Sequence, residues 1–298
     1  MVFRVTHSAS HIRRVSAMNR TLGGMDRVER QLSSGRRFER PGEDPEAAAR
    51  VLRIGRKQGD IKTYNDNVEA GRGMLSRAES AVVALTGVMN SARSLALKMS
   101  DSFYDGERTG QVNLADGLID SALDLLNTTY DDMYLFGGHQ NDQPPYGLNQ
   151  GVPQFGGDNG LMRLDVSDGA VSVVTIDAER HFNGGAGGEN IMELLVELRQ
   201  QMSVDSQGGV AATLDRFETA VAQLSQTTSQ IGTLYQRLDV HENVNEVQDV
   251  ELERLRSIIE DTNYADAAAT MSLRQTAYQA SLAATSRVQG MSLLNFMR

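Results

Sequence analysis

From Ile61 to Met99 the sequence repeats an apolar or small residue in alternating steps of three and four: Ile61, Tyr64, Val68, Gly71, Leu75, Ala78, Val82, Leu85, Met89, Ala92, Ala96 and Met99. No member is charged, and the spacing puts them all on one stripe of a single helix. Three further seams of this kind run through Val15, Met18, Leu22, Met25 and Leu32, through Val112, Ala115, Ile119, Ala122, Leu126, Thr129, Met133 and Phe136, and through Leu214, Phe217, Val221, Leu224, Thr228, Ile231, Tyr235 and Leu238. A last stripe reads Leu273, Ala277, Ala280, Ala284, Val288, Met291 and Leu294. The chain is therefore expected to be mainly α, a long antiparallel helical bundle or coiled coil formed by its N- and C-terminal segments. This layout fits a polymer subunit better than an enzyme.

The breakers sharpen this reading. All five prolines fall in two clusters, Pro41 and Pro45, then Pro144, Pro145 and Pro153, which leaves the stretches between and beyond free to be long helix. Gly35 predicts a helix stop, Asp44 a cap whose carboxylate accepts from free backbone N–H groups, and Pro45 a first helical turn. A helix from Pro45 to Met99 spans roughly 80 Å at ~1.5 Å per residue. Ser100–Gly106 reads as a turn, so the second and third seams form a helical hairpin that the fourth closes into a bundle. After Leu238 the stripe drifts to Val240, Val244 and Val247 before Leu252, Leu255 and Ile259 resume, a shift that predicts locally altered winding.

Residues 137–188 break the pattern, holding twelve of the 28 glycines and three of the five prolines. Leu161–Val166 and Val171–Ile176 flank Ser167-Asp168-Gly169 as a β-hairpin, and a short helix is expected from Glu189 to Met202. The expected domains are 43–137 with 189–259 as the helical bundle, 138–188 as a small β-rich insert, and 1–42 with 260–298 as a terminal coiled coil, disordered in the monomer. The last expectation follows from energetics. A lone amphipathic helix buries too little to offset its ordering entropy, so both ends need partners.

Composition excludes several chemistries. The chain has no Cys, hence no disulfide, thiolate metal site or thiol nucleophile. Residues 1–60 carry thirteen basic and seven acidic side chains, whereas 239–266 carry two and nine. With an acidic balance elsewhere and no interleaved aromatics, this predicts no nucleic-acid binding but helices from the two ends lying side by side with complementary charge. No membrane span and no secretory leader is expected, because Arg4, His7, His11, Arg13, Arg14 and Arg20 interrupt the first thirty residues. His7 and His11 share a helical spacing, but Ser8 stands where a zincin carries Glu and no third ligand follows, so no metal is expected. Gly184-Gly185-Ala186-Gly187-Gly188 is followed by Glu189 where a phosphate cradle has Lys, which makes it a hinge. No catalytic set and no cofactor site is expected.

Gln31-Leu32-Ser33-Ser34-Gly35-Arg36 followed by Glu43-Asp44-Pro45 resembles the N-terminal signature of flagellins and their relatives. Met133-Tyr134-Leu135-Phe136-Gly137-Gly138, running to Pro145-Tyr146, and Gln289-Gly290-Met291-Ser292-Leu293-Leu294 resemble the branch of that family at the junction of hook and filament. Glu43 departs from the Asp of many relatives but keeps its charge. The resemblance singles out Ser34, Gly35, Asp44, Pro45, Phe136, Gly290, Ser292 and Leu293 as motif positions. It implies a secreted structural adaptor, exported through the flagellar type III apparatus and assembled as a homo-oligomeric ring at the hook-filament junction. Its implied partners are a neighbouring hook-associated protein, flagellin and a cytoplasmic export chaperone, with no nucleic acid and no membrane. The assembly interface is expected on Val15, Met18, Leu22, Met25 and Leu32, and on Leu273, Ala277, Ala280, Ala284, Val288, Met291 and Leu294. A filament-forming flagellin is the alternative.

Overall fold

Asp44 begins the longest helix as its residue type predicts: its carboxylate accepts from the backbone N–H of Ala47 at 3.0 Å, and Pro45 occupies the first turn, where its missing N–H costs nothing. The computed structural model describes the backbone of residues 2–100, 108–149, 151–204 and 206–296, with side chains except at 2–8, 10, 11, 108, 186 and 287–296. In chain order the elements are α1 (Val2–Ser34), α2 (Pro45–Ser100), α3 (Arg108–Leu126), β1 (Thr129–Tyr130), β2 (Met133–Tyr134), β3 (Tyr146–Asn149) and β4 (Val152–Phe155). There follow β5 (Arg163–Ser167), β6 (Ala170–Val173), α4 (Ala178–Phe182), a 3-10 turn at Gly185–Gly187, α5 (Ile191–Ser203), α6 (Gln207–Glu260) and α7 (Tyr264–Phe296). The turn expected at Ser100–Gly106 lies, beyond Ser100, outside the described residues. The chain divides into two compact units, one of residues 1–59 and 249–298, the other of residues 60–248.

In the unit of residues 60–248, the α2 seam is the core. Val68, Leu75, Ala78, Val82, Leu85, Met89, Ala92, Ala96 and Met99 are all buried, against Ile119 and Leu126 of α3, Leu194 and Leu198 of α5, and Phe217, Leu224 and Ile231 of α6. Burial of each large side chain contributes about 1.5–3 kcal/mol. One 18-residue window of α2 reaches a mean hydropathy of 1.2, enough by length and composition alone to cross a membrane. This departs from the expectation that no such stretch exists. Its apolar stripe, however, is part of the buried core. Gly71 carries no side chain for a physical reason: a Cβ there would stand 2.7 Å from Val174 and 3.4 Å from Leu238.

The structure corrects the sequence reading twice in this unit. The α3 helix stops at Leu126, so Thr129, Met133 and Phe136 are not helical. Asn127 ends it by bracketing Tyr146, donating to its carbonyl and accepting from its N–H, both at 2.9 Å. The next residues form the tight β1–β2 hairpin, with Asp131 and Asp132 in the left-handed region at φ 50° and 62°, the conformation a two-residue turn demands. In α6 the seam does not drift. It keeps its seven-residue step through Leu224, Ile231 and Leu238 to Asn245, all fully buried, while Val240, Val244 and Val247 face outward. Asn245 donates to the Val166 carbonyl at 2.8 Å and to Asn65 at 2.9 Å, fixing the register of α2, α6 and β5 as a buried amide can.

The remaining sheets are hairpins. The expected β5–β6 pair forms, with Gly169 at φ +70° at its tip. The β3–β4 pair, Tyr146 opposite Phe155, was not legible as strands. The motif residue Phe136 is buried with its ring edge-on to Phe182, centroids 5.1 Å apart at 80°. Gly137 and Gly138 follow because a Cβ at either would strike the backbone of Gln140 or Asp158. Asp158 accepts from the N–H groups of His139 and Gly160 at 2.7 and 2.8 Å, which hold its carboxyl below the usual range. His181 is buried, its Nδ1 3.0 Å from the Thr227 hydroxyl, and burial lowers its pKa from the ordinary 6.5.

Candidate assembly surface

In the unit of residues 1–59 and 249–298, α1 ends where its sequence says it should. Gly35 adopts φ +73° and its N–H donates to the Gln31 carbonyl at 3.0 Å, a left-handed cap. A side chain at this position would also crowd Tyr264, because its Cβ would stand 2.8 Å from the Tyr264 hydroxyl. The bare glycine lets the chain between α6 and α7 lie against the end of α1. There the Thr262 N–H donates to the Gly35 carbonyl at 2.8 Å and the Arg37 N–H to the Glu260 carbonyl at 2.6 Å. The Glu260 carboxylate is buried between Arg36 at 3.1 Å and Arg256 at 2.8 Å. Asn263 then caps α7, accepting from Ala265 at 3.1 Å and Asp266 at 3.3 Å.

The connector between α1 and α2 is tied as tightly. Gln31 donates to the Arg37 carbonyl at 2.7 Å, and Arg37 pairs with Asp44 at 3.0 Å. Glu43 accepts from the Glu39 N–H at 3.1 Å, and this bond is the main cause that lowers its pKa. The motif residue Ser34 turns its hydroxyl back to the Arg30 carbonyl at 2.8 Å. Ser34, Gly35, Asp44 and Pro45 thus form one structural junction. It brings the ends of α1 and α6 and the starts of α2 and α7 together.

From this junction α1 and α7 run paired. Val28 and Ala267 are buried, and Met18, Met25 and Leu32 of α1 and Met271, Arg274 and Tyr278 of α7 are half-buried. Gly24 admits Arg274, whose guanidinium would overlap any side chain placed there. The apolar stripe of α7 read from sequence lies elsewhere. At about 100° per residue, Leu273, Ala277, Ala280 and Ala284 fall about 120° around the helix from Ala267, Met271, Arg274 and Tyr278. All four are exposed, Leu273 at 73%. On α1, Val15 and Leu22 are exposed at 37% and 39%. The expected interface residues thus split into two groups. Met18, Met25 and Leu32 lie half-buried, whereas Val15, Leu22, Leu273, Ala277, Ala280 and Ala284 face solvent. The side chains of His7, His11, Val288, Met291 and Leu294, and those of Ser292 and Leu293, lie outside the described residues, as does any side-chain environment at Gly290.

Sequence reasoning missed Glu260, Arg36, Arg256, Asn263 and Gly24. Of these only the opposite charge of the two chain ends left a trace, since Arg36 and Glu260 belong to the segments that carry it.

Residues 5–141 match the bacterial flagellin N-terminal helical region and residues 214–297 the bacterial flagellin C-terminal helical region. Flagellar hook-associated protein 3 of Escherichia coli K12 is 22% identical over 289 residues, covering 90% of this chain and 91% of its own. A solved structure described as a flagellar hook-associated protein from Vibrio parahaemolyticus shares the fold with a TM-score of 0.67 at 18% identity, over 73% of this chain and 99% of that one. The flagellar junction protein of Legionella pneumophila does so with a TM-score of 0.56 at 13% identity, over 72% and 100%. With both helical regions matched, with Gly35 and Asp44 performing the stops and starts that the N-terminal signature encodes, and with paired terminal helices, the chain belongs to the flagellin family.

Proposed function

We propose that this chain is the structural adaptor that joins hook to filament in the bacterial flagellum, assembled as a ring of identical subunits through its terminal helices. The observation that carries the reading is the outward apolar stripe Leu273, Ala277, Ala280 and Ala284 on a helix whose other face is already packed. Such a stripe on a long helix fits burial against other subunits. The relatives named hook-associated protein 3 and junction protein support the position in the flagellum. In this role the chain is not an enzyme. Its neighbours are a second hook-associated protein on one side and flagellin on the other, and it reaches them by flagellar export, with a chaperone covering the end helices beforehand. Residues 1–42 and 260–298 gain their full order on assembly, so amide exchange in dilute protein is expected to be fast there, and uniform strong protection would contradict this.

Deletion of the chain tests the function. Electron microscopy is expected to show intact hooks without filaments, with flagellin shed into the medium, and normal filaments would overturn the proposal. A filament-forming flagellin is the competing reading. It predicts long filaments from seeded purified protein, where an adaptor stops at short assemblies.

A further inference from the structure

In the unit of residues 60–248, the segment 177–190, which carries α4 and the glycine run, is tied to α6 by polar contacts. Gln223 of α6 donates to the His181 and Glu189 carbonyls at 2.6 and 3.2 Å and accepts from the Glu189 N–H at 2.8 Å. Gly188 makes room for it, since a Cβ there would overlap the Gln223 amide. The His181 ring, 7% exposed, meets the Thr227 hydroxyl through Nδ1 at 3.0 Å. Thr227 has a single hydroxyl proton and gives it to the Gln223 carbonyl at 2.9 Å. Its oxygen therefore accepts from the ring, and Nδ1 carries the hydrogen. Nε2 is left as a bare lone pair. It is buried and closes no hydrogen bond among the described residues, although the exposed Gln230 side chain lies beside it.

We propose that His181 is an acid-sensitive latch: the neutral ring holds segment 177–190 on α6, and a proton on Nε2 releases that segment about its glycines while the rest of the unit stays folded. Protonation would put an N–H and a charge into a buried place built for a lone pair. No carboxylate is free to receive them among the charged groups nearby. From α4, Asp177 is engaged with the Arg180 N–H at 3.2 Å and Glu179 with the Asn183 amide at 3.2 Å, while Glu189 is paired with Arg216 at 2.9 Å. From α6 the ring meets the neutral side chains of Thr227 and Gln230. Burial opposes the charge most, Arg180 adds to that, and Asp177 and Gln230 offset part of it, so the closed ring titrates below the ordinary 6.5. The segment also has the means to move. Gly184 and Gly187 stand at φ +81° and +86°, and a cavity of about 410 Å³ between Gly185, Gly187, Gly188 and Gln226 lies beside the ring. Because the closed form binds the proton more weakly than the open one, opening gains as pH falls below about 6.5, by at most about tenfold per pH unit. The latch goes beyond the adaptor reading and does not depend on it.

Amide exchange on the full-length chain at about pH 7.5 and about pH 5.5, corrected for the intrinsic pH dependence of exchange, tests the latch. Peptides within residues 178–190 are expected to lose protection by about tenfold at the lower pH, while peptides of the α2 seam keep theirs. Gln230→Glu, a change at an exposed position, sets a carboxylate beside Nε2 that can accept from the protonated ring. It should cut the acid loss to about twofold or less. His181→Gln, with no group to titrate, should remove the loss altogether. Protection that is unchanged by acid in the parent chain, or lost equally throughout residues 60–248, overturns the latch. So does a Gln230→Glu chain that opens in acid as the parent does. If His181→Gln does not fold, Gln230→Glu decides alone.

Discussion

The seams of α2 and α7 look alike in sequence and end in opposite surroundings. Leu75, Leu85, Met89 and Ala96 of α2 are sealed inside their own unit, whereas Leu273, Ala277, Ala280 and Ala284 of α7 face solvent. An apolar repeat therefore reports that a helix has a face to bury, not that the burial occurs within one chain. The side of α7 that does pack in this chain is mixed in character: Ala267, Met271, Arg274 and Tyr278. Arg274 fits only because α1 offers Gly24 opposite it. In α2 the packing face and the most apolar face coincide. In α7 they are different faces, and the more apolar one faces solvent.

The largest effect that can break this contrast is a charge on the sealed seam. Leu85→Asp buries an unpaired carboxylate and should cost at least about 4 kcal/mol, unfolding residues 60–248 or lowering their denaturant midpoint sharply. Only a small shift in chemical denaturation would show that this seam is not the core. Next comes the junction that aligns α1 with α7. Glu260→Ala leaves Arg36 and Arg256 without their shared carboxylate and should cost about 1–2 kcal/mol, read as faster amide exchange at the end of α6, just before residue 260, with residues 60–248 unaffected. A loss spread evenly through both units would contradict that localisation.

Smaller still is the cap of α2. Asp44→Ala removes the acceptor for the Ala47 N–H and should cost about 1 kcal/mol, with Asp44→Ser restoring most of it in thermal unfolding. Failure of Ser to rescue would transfer the role from the cap to the pairing with Arg37. The mildest effect is that of pH. Burial holds the folded pKa of His181 below 6.5, so between that lower value and 6.5 the unfolded chain binds the extra proton. Stability therefore falls as pH drops through about 6.5 toward the folded value. His181→Gln should flatten this part of the melting profile between pH 7 and 5, and an unchanged slope would remove His181 from the account.

Much of the fold was legible where local chemistry sets it. The stop at Gly35, the start at Asp44 and Pro45, the length of α2 and the β5–β6 turn each follow from a residue type doing at its site what it does in general. The errors arose where a pattern ran on past its cause. Thr129, Met133 and Phe136 keep the step of the α3 seam, yet Asn127 and the left-handed Asp131 and Asp132 end the helix before them. Around Asn245 the eye follows Val240, Val244 and Val247, because a buried amide interrupts the apolar signal while holding the true register. The Arg36–Glu260 pair was beyond reach for another reason. Its partners are far apart in sequence, and only the folded chain decides which of many opposite charges meet. For the candidate assembly surface, periodicity gave the residues of the α7 stripe but not the direction in which they point.

The most direct test of that direction is Leu273→Asp, followed by thermal unfolding of the purified chain and electron microscopy of flagella from cells that make only this variant. The account predicts an unfolding curve like that of the parent chain together with hooks that carry no filament. A substantially destabilised chain, or normal filaments on normal hooks, would contradict it.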